Sequence, residues 1–280
     1  MPDSIQNILE QIRNQISAYT DTPGLDAQVL LAHICKQDRS WLLAHPEALL
    51  SIDSTLRLDK ALAKISAGMP LPYVIGKWEF FGLSFNITPN VLIPRPETEL
   101  LVETAIEWLH FHPKFRIAAE AGTGSGCISI SLAANITDLQ ITATDISFEA
   151  ISIARKNVDT HQVETQVTVQ ESNLLTGLSG PINLICANLP YIPSGDLRQL
   201  KVFHTEPTLA LDGGENGLEI IAKLLAQAVP LLSPRGLILL EIGADQGEAA
   251  KSLAADHFPS AYIKIKPDLS GHDRLLVIQT

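Results

Sequence analysis

Basic residues are scarce in this chain: 20 Lys and Arg stand against 31 Asp and Glu, a formal net charge of −11. The acids are spread rather than blocked. A sequence-independent grip on nucleic acid needs a basic surface, so that class is disfavoured short of a local patch, and membrane-surface binding is disfavoured with it. Cysteine is almost lacking. Cys35, Cys127 and Cys186 are odd in number, far apart and set in apolar context, which excludes a disulfide framework and leaves small buried side chains as the expectation. No spacing of ligand residues suits a metal, so none is expected. No apolar window approaches the length of a membrane span, and the start, Met1-Pro2-Asp3-Ser4-Ile5-Gln6-Asn7, has neither the basic opening nor the apolar core of a secretion signal. A soluble, cytoplasmic protein is expected. Internal repeats and low-complexity tracts are absent.

What is present is the profile of a folded protein: 46% hydrophobic and 18% charged residues over 280 positions, enough for one large or two unequal domains. Ile5, Ile8, Leu9, Ile12 and Ile16 fall at helical spacing. Pro23 and Gly24 interrupt it, after which Leu25 to Ile34, Trp41 to Leu50 and Ser54 to Ala67 give further amphipathic segments. The spacing predicts a bundle of about five helices over residues 1–72, closed by Gly68, Pro70 and Pro72. Residues 73–93 change to alternation, with Trp78, Phe80, Leu83, Phe85 and Ile87 around Gly82, and predict a β-hairpin joining two domains. Over 94–280, strands are predicted at 116–121, 140–144, 166–170, 182–187 and 236–241, with helices at 127–134, 148–158, 218–232 and 247–255. Strands at 261–266 and 275–279 close the chain as an antiparallel hairpin. The prediction is an α/β fold, a doubly wound, seven-stranded, Rossmann-like sheet behind a helical bundle.

Asn188-Leu189-Pro190-Tyr191 follows the apolar run 182–187, at the carboxyl end of a buried strand, where open α/β sheets bind ligands. Such a loop can grip a planar NH2 group. The Asn188 oxygen accepts one N–H, the Leu189 carbonyl accepts the other, and Tyr191 packs against the group that carries them. Asn and Pro are equally ordinary turn residues.

Glu120-Ala121-Gly122-Thr123-Gly124-Ser125-Gly126 follows the first strand of the second domain and opens a helix. A dinucleotide fingerprint asks for G-x-G-x-x-G/A, whereas the alternation here is G-x-G-x-G with Cys127 next, and the Lys-Ser/Thr pair of a phosphate loop is missing. The alternation resembles that of S-adenosylmethionine-dependent methyltransferases. Asp145, 19 residues beyond Gly126 at the end of the second strand, is placed to accept from two ribose hydroxyls, or else to precede the next helix as a cap. Glu120 is a strand-end acid near the amino-acid end of such a cofactor or a contact to the loop amides. Asn173, placed to meet the adenine amine, and Leu174 lie beyond the third strand. Arg95, between two prolines, is free to meet a carboxylate.

With Leu92-Ile-Pro-Arg-Pro-Glu-Thr-Glu99, Gly122-Thr-Gly-Ser-Gly126 and Asn188-Leu-Pro-Tyr191 in this order, the chain resembles the peptide-chain-release-factor glutamine N5-methyltransferases. Glu206-Pro207, Ala210-Leu211, Gly213-Gly214 and Asp268-Leu-Ser-Gly-His-Asp-Arg274 extend the resemblance over nearly the whole length. It implies methyl transfer from S-adenosylmethionine to the glutamine of the Gly-Gly-Gln loop in class 1 release factors. It further implies a monomer acting on a protein partner, with the helical domain recognising the release factor, Asn188 to Tyr191 and Arg95 meeting the substrate, and Glu120, Gly122 to Gly126, Asp145, Asn173, Leu174 and Asn188 meeting the cofactor. Three positions depart from the family pattern: Leu189 stands where proline is usual, Asn173 where an acid is usual and Glu120 where Asp is common. Losing proline's fixed φ at 189 costs about 0.4 to 1 kcal/mol of preorganisation.

Asn-Leu-Pro-Tyr also resembles the motif of ribosomal RNA adenine dimethyltransferases, but the acidic balance, the helical domain and the Leu92 to Glu99 segment weigh against that reading. A third reading is a cofactor-binding protein without turnover, which Leu189 and Asn173 motivate.

Overall fold

The structure, a computed structural model, describes residues 3–280. The chain divides into two compact units, one ending at Lys77 and the other running from Trp78 to Thr280.

The first unit is five helices. In α1 (Ile5–Ile16), Ser4 caps the start by accepting from Asn7 N, and the buried stripe Ile5, Ile8, Ile12 and Ile16 recurs at three- and four-residue steps. Pro23 opens α2 (Pro23–Cys35) rather than merely breaking what precedes it, because the first helical position needs no N–H donor. The segment predicted over 41–50 is shorter and earlier. Asp38 accepts from Trp41 N at 2.6 Å to start α3 (Arg39–Ala44), and the helix ends short of Pro46, which removes a donor and restricts the residue before it. Then come α4 (Ile52–Ser66) and α5 (Leu71–Ile75), so Tyr73 to Ile75 are helical and not part of the predicted hairpin. Leu30, Leu31, Leu42, Leu58, Leu62 and Leu71 fill the centre with the α1 stripe. Each such side chain contributes roughly 1.5–3 kcal/mol on burial.

The hairpin is tighter than its sequence signal: β1 (Lys77–Phe80) and β2 (Leu83–Asn86) turn through Phe81 and Gly82, both at positive φ. From Trp78 onward it belongs to the second unit. Phe81 N donates to Glu99 Oε1 at 2.8 Å, and Asn86 pairs with Asn157 through backbone and side chain.

The second unit continues with a 3-10 turn at Pro96–Thr98, α6 (Glu99–Phe111), β3 (Ile117–Ala121), α7 (Cys127–Asn135), β4 (Gln140–Asp145), α8 (Phe148–His161), β5 (Val167–Glu171) and β6 (Ile182–Ala187). After these come the short α9 (Ser194–Leu197), α10 (Glu219–Ala228), β7 (Leu232–Glu241), α11 (Gly247–His257), β8 (Tyr262–Pro267) and β9 (Asp273–Gln279). The sheet order is β5-β4-β3-β6-β7-β9-β8, parallel except for β9, which runs antiparallel to both neighbours. β7 begins at Leu232, where the sequence predicts helix. The strand predicted to start at Gly236 starts earlier and passes through Ser233-Pro234-Arg235-Gly236 as a bulge with Arg235 at φ 61°. Because β4 and β5 lie to one side of β3 while β6 and β7 lie to the other, chain direction across the sheet reverses between β3 and β6. That is the topological switch point, and its carboxyl edge is the ligand-binding edge of such sheets.

Candidate active site

β3 and β6 are adjacent, with Glu120 opposite Cys186 and Ala121 opposite Ala187. The two motifs therefore leave the sheet side by side: Gly122 follows one strand and Asn188 the other. At Gly122 (φ 71°) an added Cβ would meet Leu189 Cδ2 at 2.9 Å, so the glycine loop and the Asn188 loop touch where only glycine fits. Gly126 (φ 82°) starts α7 and abuts Ile130 and Ala154, packing α7 against α8.

A cavity of about 430 Å³ opens over this edge. Its walls include Glu120, Gly122, Thr123, Gly124, Ser125, Asp145, Asn173, Leu174, Asn188, Leu189 and Pro190, which gathers most of the residues singled out in the sequence. Gly126, Tyr191 and Arg95 lie off the wall. Residues that sequence reasoning left aside complete it, among them Val91, Pro94, Thr98, Ile146, Pro207 and Leu209. Pro94 and Thr98 lie within the Leu92 to Glu99 motif and Pro207 within the Glu206-Pro207 motif, so position in a motif was the available signal. Nothing local marked Ile146.

Glu120 is 1% exposed. Its Oε2 accepts from the Thr123 hydroxyl (2.8 Å), Ser129 N (3.1 Å) and the Ser129 hydroxyl, whereas Oε1 is buried with no partner. One oxygen shapes the loop and the other is left over. Burial pushes this carboxyl up to about 7, with Asp145 adding to the rise and the Ser129 and Thr123 bonds opposing it. Asp145 accepts from Gly124 N at 2.8 Å and Ser147 N at 2.9 Å, one per oxygen, so each oxygen keeps acceptor capacity. The cap of α8 is Ser147, not Asp145. Beyond β5, Leu174 sits at φ 56°, and its carbonyl accepts from the buried Thr144 hydroxyl at 2.8 Å.

Around Asn188 the bonds form a chain. Asn188 Nδ2 donates to Thr98 Oγ1 at 3.0 Å, and Thr98 Oγ1 donates to Glu241 Oε2 at 2.6 Å. Tyr191 donates its hydroxyl to Glu241 Oε1 at 3.3 Å. Glu241 and Thr98 are each 2% exposed. Burial raises the Glu241 carboxyl, opposed by the Thr98 bond and by the charge of Arg274; burial first and Glu241 second push the Tyr191 hydroxyl up, so it stays protonated at neutral pH. Arg274 is held by Asp268 at 3.2 Å, and its charge acts on Glu241 and Tyr191. The carboxylate that Arg95 meets belongs to the chain itself: Glu206, which also accepts from Ile93 N at 3.1 Å.

Two family models match the chain: the PrmC N-terminal domain over residues 7–76 and the methyltransferase small domain over residues 97–205. The release factor glutamine methyltransferase of Moorella thermoacetica is 40% identical over 271 residues, covering 96% of this chain and 95% of the relative. That of Nitratidesulfovibrio vulgaris is 34% identical over 279 residues, covering 98% and 94%. Among solved structures, a methyltransferase from Pyrococcus furiosus aligns with a TM-score of 0.53 at 20% identity, over 80% of this chain and 96% of that one, which speaks to the fold. Near-complete coverage at this identity, with both domains matched in order, places the chain in the release factor glutamine methyltransferase family.

Proposed function

We propose that the chain methylates the side-chain amide nitrogen of the glutamine in the Gly-Gly-Gln loop of class 1 release factors, using S-adenosylmethionine. The observation that carries this reading is the adjacency of the glycine loop and Asn188 at the sheet's switch point, a donor-cofactor loop and an amide grip on one cavity. The residues present suit the cofactor. The partnerless buried oxygen of Glu120 suits an ammonium, the spare acceptor capacity of Asp145 suits ribose hydroxyls, and the side-chain-free edge at Gly124 admits a ligand close to the backbone. When bound, S-adenosylmethionine supplies a methyl group already activated on a sulfonium.

The task left to the protein is the nucleophile. An amide nitrogen is weak because its lone pair is shared with the carbonyl. Asn188 Oδ1 and the Leu189 carbonyl accept the two N–H groups, favouring the charge that builds on nitrogen as it attacks, and Tyr191 supports the loop through Glu241. Fixing the nitrogen in line is worth several kcal/mol in itself, on the order of what positioned intramolecular reactions gain. Once alkylated, the nitrogen is strongly acidic and loses its proton to water, so the loop needs no strong base. The reading places the enzyme, a monomer, in the cytoplasm with its protein substrate, and gives the helical unit the task of recognising the release factor.

The test is transfer of labelled methyl from S-adenosylmethionine to a purified class 1 release factor, with ribosomal RNA as parallel acceptor and peptide mass spectrometry to locate the product. One methyl on the Gly-Gly-Gln glutamine, lost in Asn188→Ala, is expected. Label in RNA alone would overturn the assignment.

A further inference from the structure

Thr98 has one hydrogen to give, and where it goes decides which way the Asn188 amide faces. The hydroxyl donates to the buried Glu241 carboxylate at 2.6 Å, leaving only lone pairs toward Asn188, and what meets them at 3.0 Å is the Asn188 NH2. Flipping that amide would set its oxygen against the oxygen of Thr98. The clash could be relieved only by taking the hydrogen away from Glu241, stranding one oxygen of a carboxylate that is 2% exposed. The same carboxylate holds Tyr191 through its other oxygen, so one buried acid fixes both ends of the Asn188-Leu-Pro-Tyr191 loop. One of the two Nδ2 hydrogens is committed to Thr98, which fixes the orientation of the amide and leaves Oδ1 as its acceptor for a ligand; Asn188 and Thr98 both line the cavity.

We infer that Thr98 and Glu241 are positioning residues that lock the Asn188 side-chain amide with its oxygen offered to substrate, selecting a substrate group that donates rather than accepts. The inference rests on the proposed reaction for its kinetic consequence, but not for its structural one. A hydroxyl that both receives from an amide and gives to a carboxylate has one arrangement of hydrogens. A serine can reproduce it; a valine of the same shape cannot. The lock explains why an NH2 group, and not the carbonyl beside it, is presented by a substrate amide docked here. A carbonyl oxygen facing Oδ1 would pair acceptor with acceptor.

Thr98→Val and Thr98→Ser, compared with wild type in the full chain, test the lock with three readouts. The first is the pair of Asn188 side-chain NH2 signals in nitrogen-15 NMR, identified by their disappearance in Asn188→Ala. One proton is expected to be slow to exchange with water in wild type and Thr98→Ser, and fast in Thr98→Val. The second is affinity for S-adenosylhomocysteine by calorimetry, expected within about twofold in all three proteins. The third is steady-state methyl transfer to a class 1 release factor, with kcat expected to fall about 10- to 100-fold in Thr98→Val, as the loss of a hydrogen bond to a charged group implies, and to recover in Thr98→Ser. Unchanged Asn188 exchange in Thr98→Val would overturn the lock whatever the acceptor proves to be. So would loss of S-adenosylhomocysteine affinity in parallel with kcat, the mark of a collapsed cavity. If wild type transfers nothing to the release factor, the proposed reaction fails, and the exchange measurement still decides the lock.

Discussion

Arg95 and Glu206, 111 residues apart, form an ion pair in which the carboxylate is 3% exposed at its side chain and the guanidinium 33%. Glu206 also takes the Ile93 N–H, so one acid pins the segment that carries Pro94 and Thr98 to the segment that carries Pro207 and Leu209, two walls of the cavity. Arg95→Ala leaves a buried carboxylate without its cation. Allowing for the partial exposure of Arg95, a loss of about 2 kcal/mol is expected in urea denaturation. Glu206→Gln keeps an acceptor for Ile93 N and should lose less. If the arginine serves the cavity walls, both variants raise KM for cofactor and release factor together. A rise for the release factor alone, in Arg95→Ala alone, would instead make Arg95 a direct substrate contact.

The reach of such contacts marks what the sequence could and could not disclose. β6 is legible to the residue because a largely apolar run between Pro181 and Pro190, interrupted only by Asn183, has few other meanings, and the glycine loop because φ-permissive residues at fixed spacing act locally. The predicted strand at 236–241 is shorter than β7 (Leu232–Glu241) because Pro234 and Gly236 carry the same signal in a bulge as in a turn. Thr98 is illegible in the sequence for a different reason. Its partners lie 90 and 143 positions away, and no period or spacing records which acid a threonine will face after the sheet has assembled.

Glu120 gives a pH dependence of definite sign. Its folded-state carboxyl is raised from 4.5 to about 7, chiefly by burial, so the fold binds this proton more tightly than the unfolded chain does. The resulting stabilisation is fully present below 4.5 and is lost as pH climbs through 7, on the order of 3 kcal/mol in all. Chemical denaturation of the free protein between pH 5 and 8 should show this fall, and Glu120→Gln should flatten it. Affinity for S-adenosylhomocysteine should run the other way, weakening as pH drops below 7, since an ammonium favours the ionised acid.

Glu241 predicts an acid limb on kcat at saturating cofactor. It faces the Thr98 and Tyr191 hydroxyls and the charges of Arg274 and Glu97, and burial dominates in raising it. Once protonated, it gives a hydrogen to Thr98 and frees the hydroxyl to turn toward the Asn188 oxygen. Turnover should therefore fall as pH is lowered, with a midpoint above the ordinary carboxylate range. Thr98→Ser should keep the limb and Thr98→Val should lack it; a limb of the same midpoint in Thr98→Val would assign it to another group.

Asn157 ties the hairpin to the glycine loop. It is fully buried, and its NH2 donates to the Asn86 carbonyl at 2.9 Å and the Ser125 carbonyl at 2.8 Å, while its oxygen accepts from Asn86 N at 2.8 Å. Asn157→Asp is nearly isosteric but has no hydrogens to give, which sets a carboxylate against two buried carbonyls. A loss of about 3 kcal/mol or more is expected. Cofactor affinity should weaken as well, because Ser125 lines the cavity; a stability loss with unchanged affinity would confine Asn157 to holding the hairpin.

Leu189 stands where the resemblance implies proline, and the cavity wall gives a reason to expect that introducing proline will not help. Proline at 189 would recover about 0.4 to 1 kcal/mol by restricting the unfolded chain. Against this stands a leucine side chain that is 4% exposed, packed in the core beneath β3 and β6, with its Cδ2 filling the space where Gly122 has no Cβ. Replacing it with the shorter ring opens a void beside the glycine loop, and truncations of buried leucine cost about 2 kcal/mol even at the mild end. The packing loss exceeds the entropic gain, so Leu189→Pro should lower stability by about 1 kcal/mol and loosen the loop at Gly122, weakening S-adenosylhomocysteine binding. The compensating change would be bulk at the other face of the contact: in the Leu189→Pro background, Gly122→Ala should be better tolerated than in wild type, where its Cβ has no room. Equal losses for Gly122→Ala in both backgrounds, measured by denaturation as a double-mutant cycle, would show that the positive φ of Gly122 and not the leucine sets its cost.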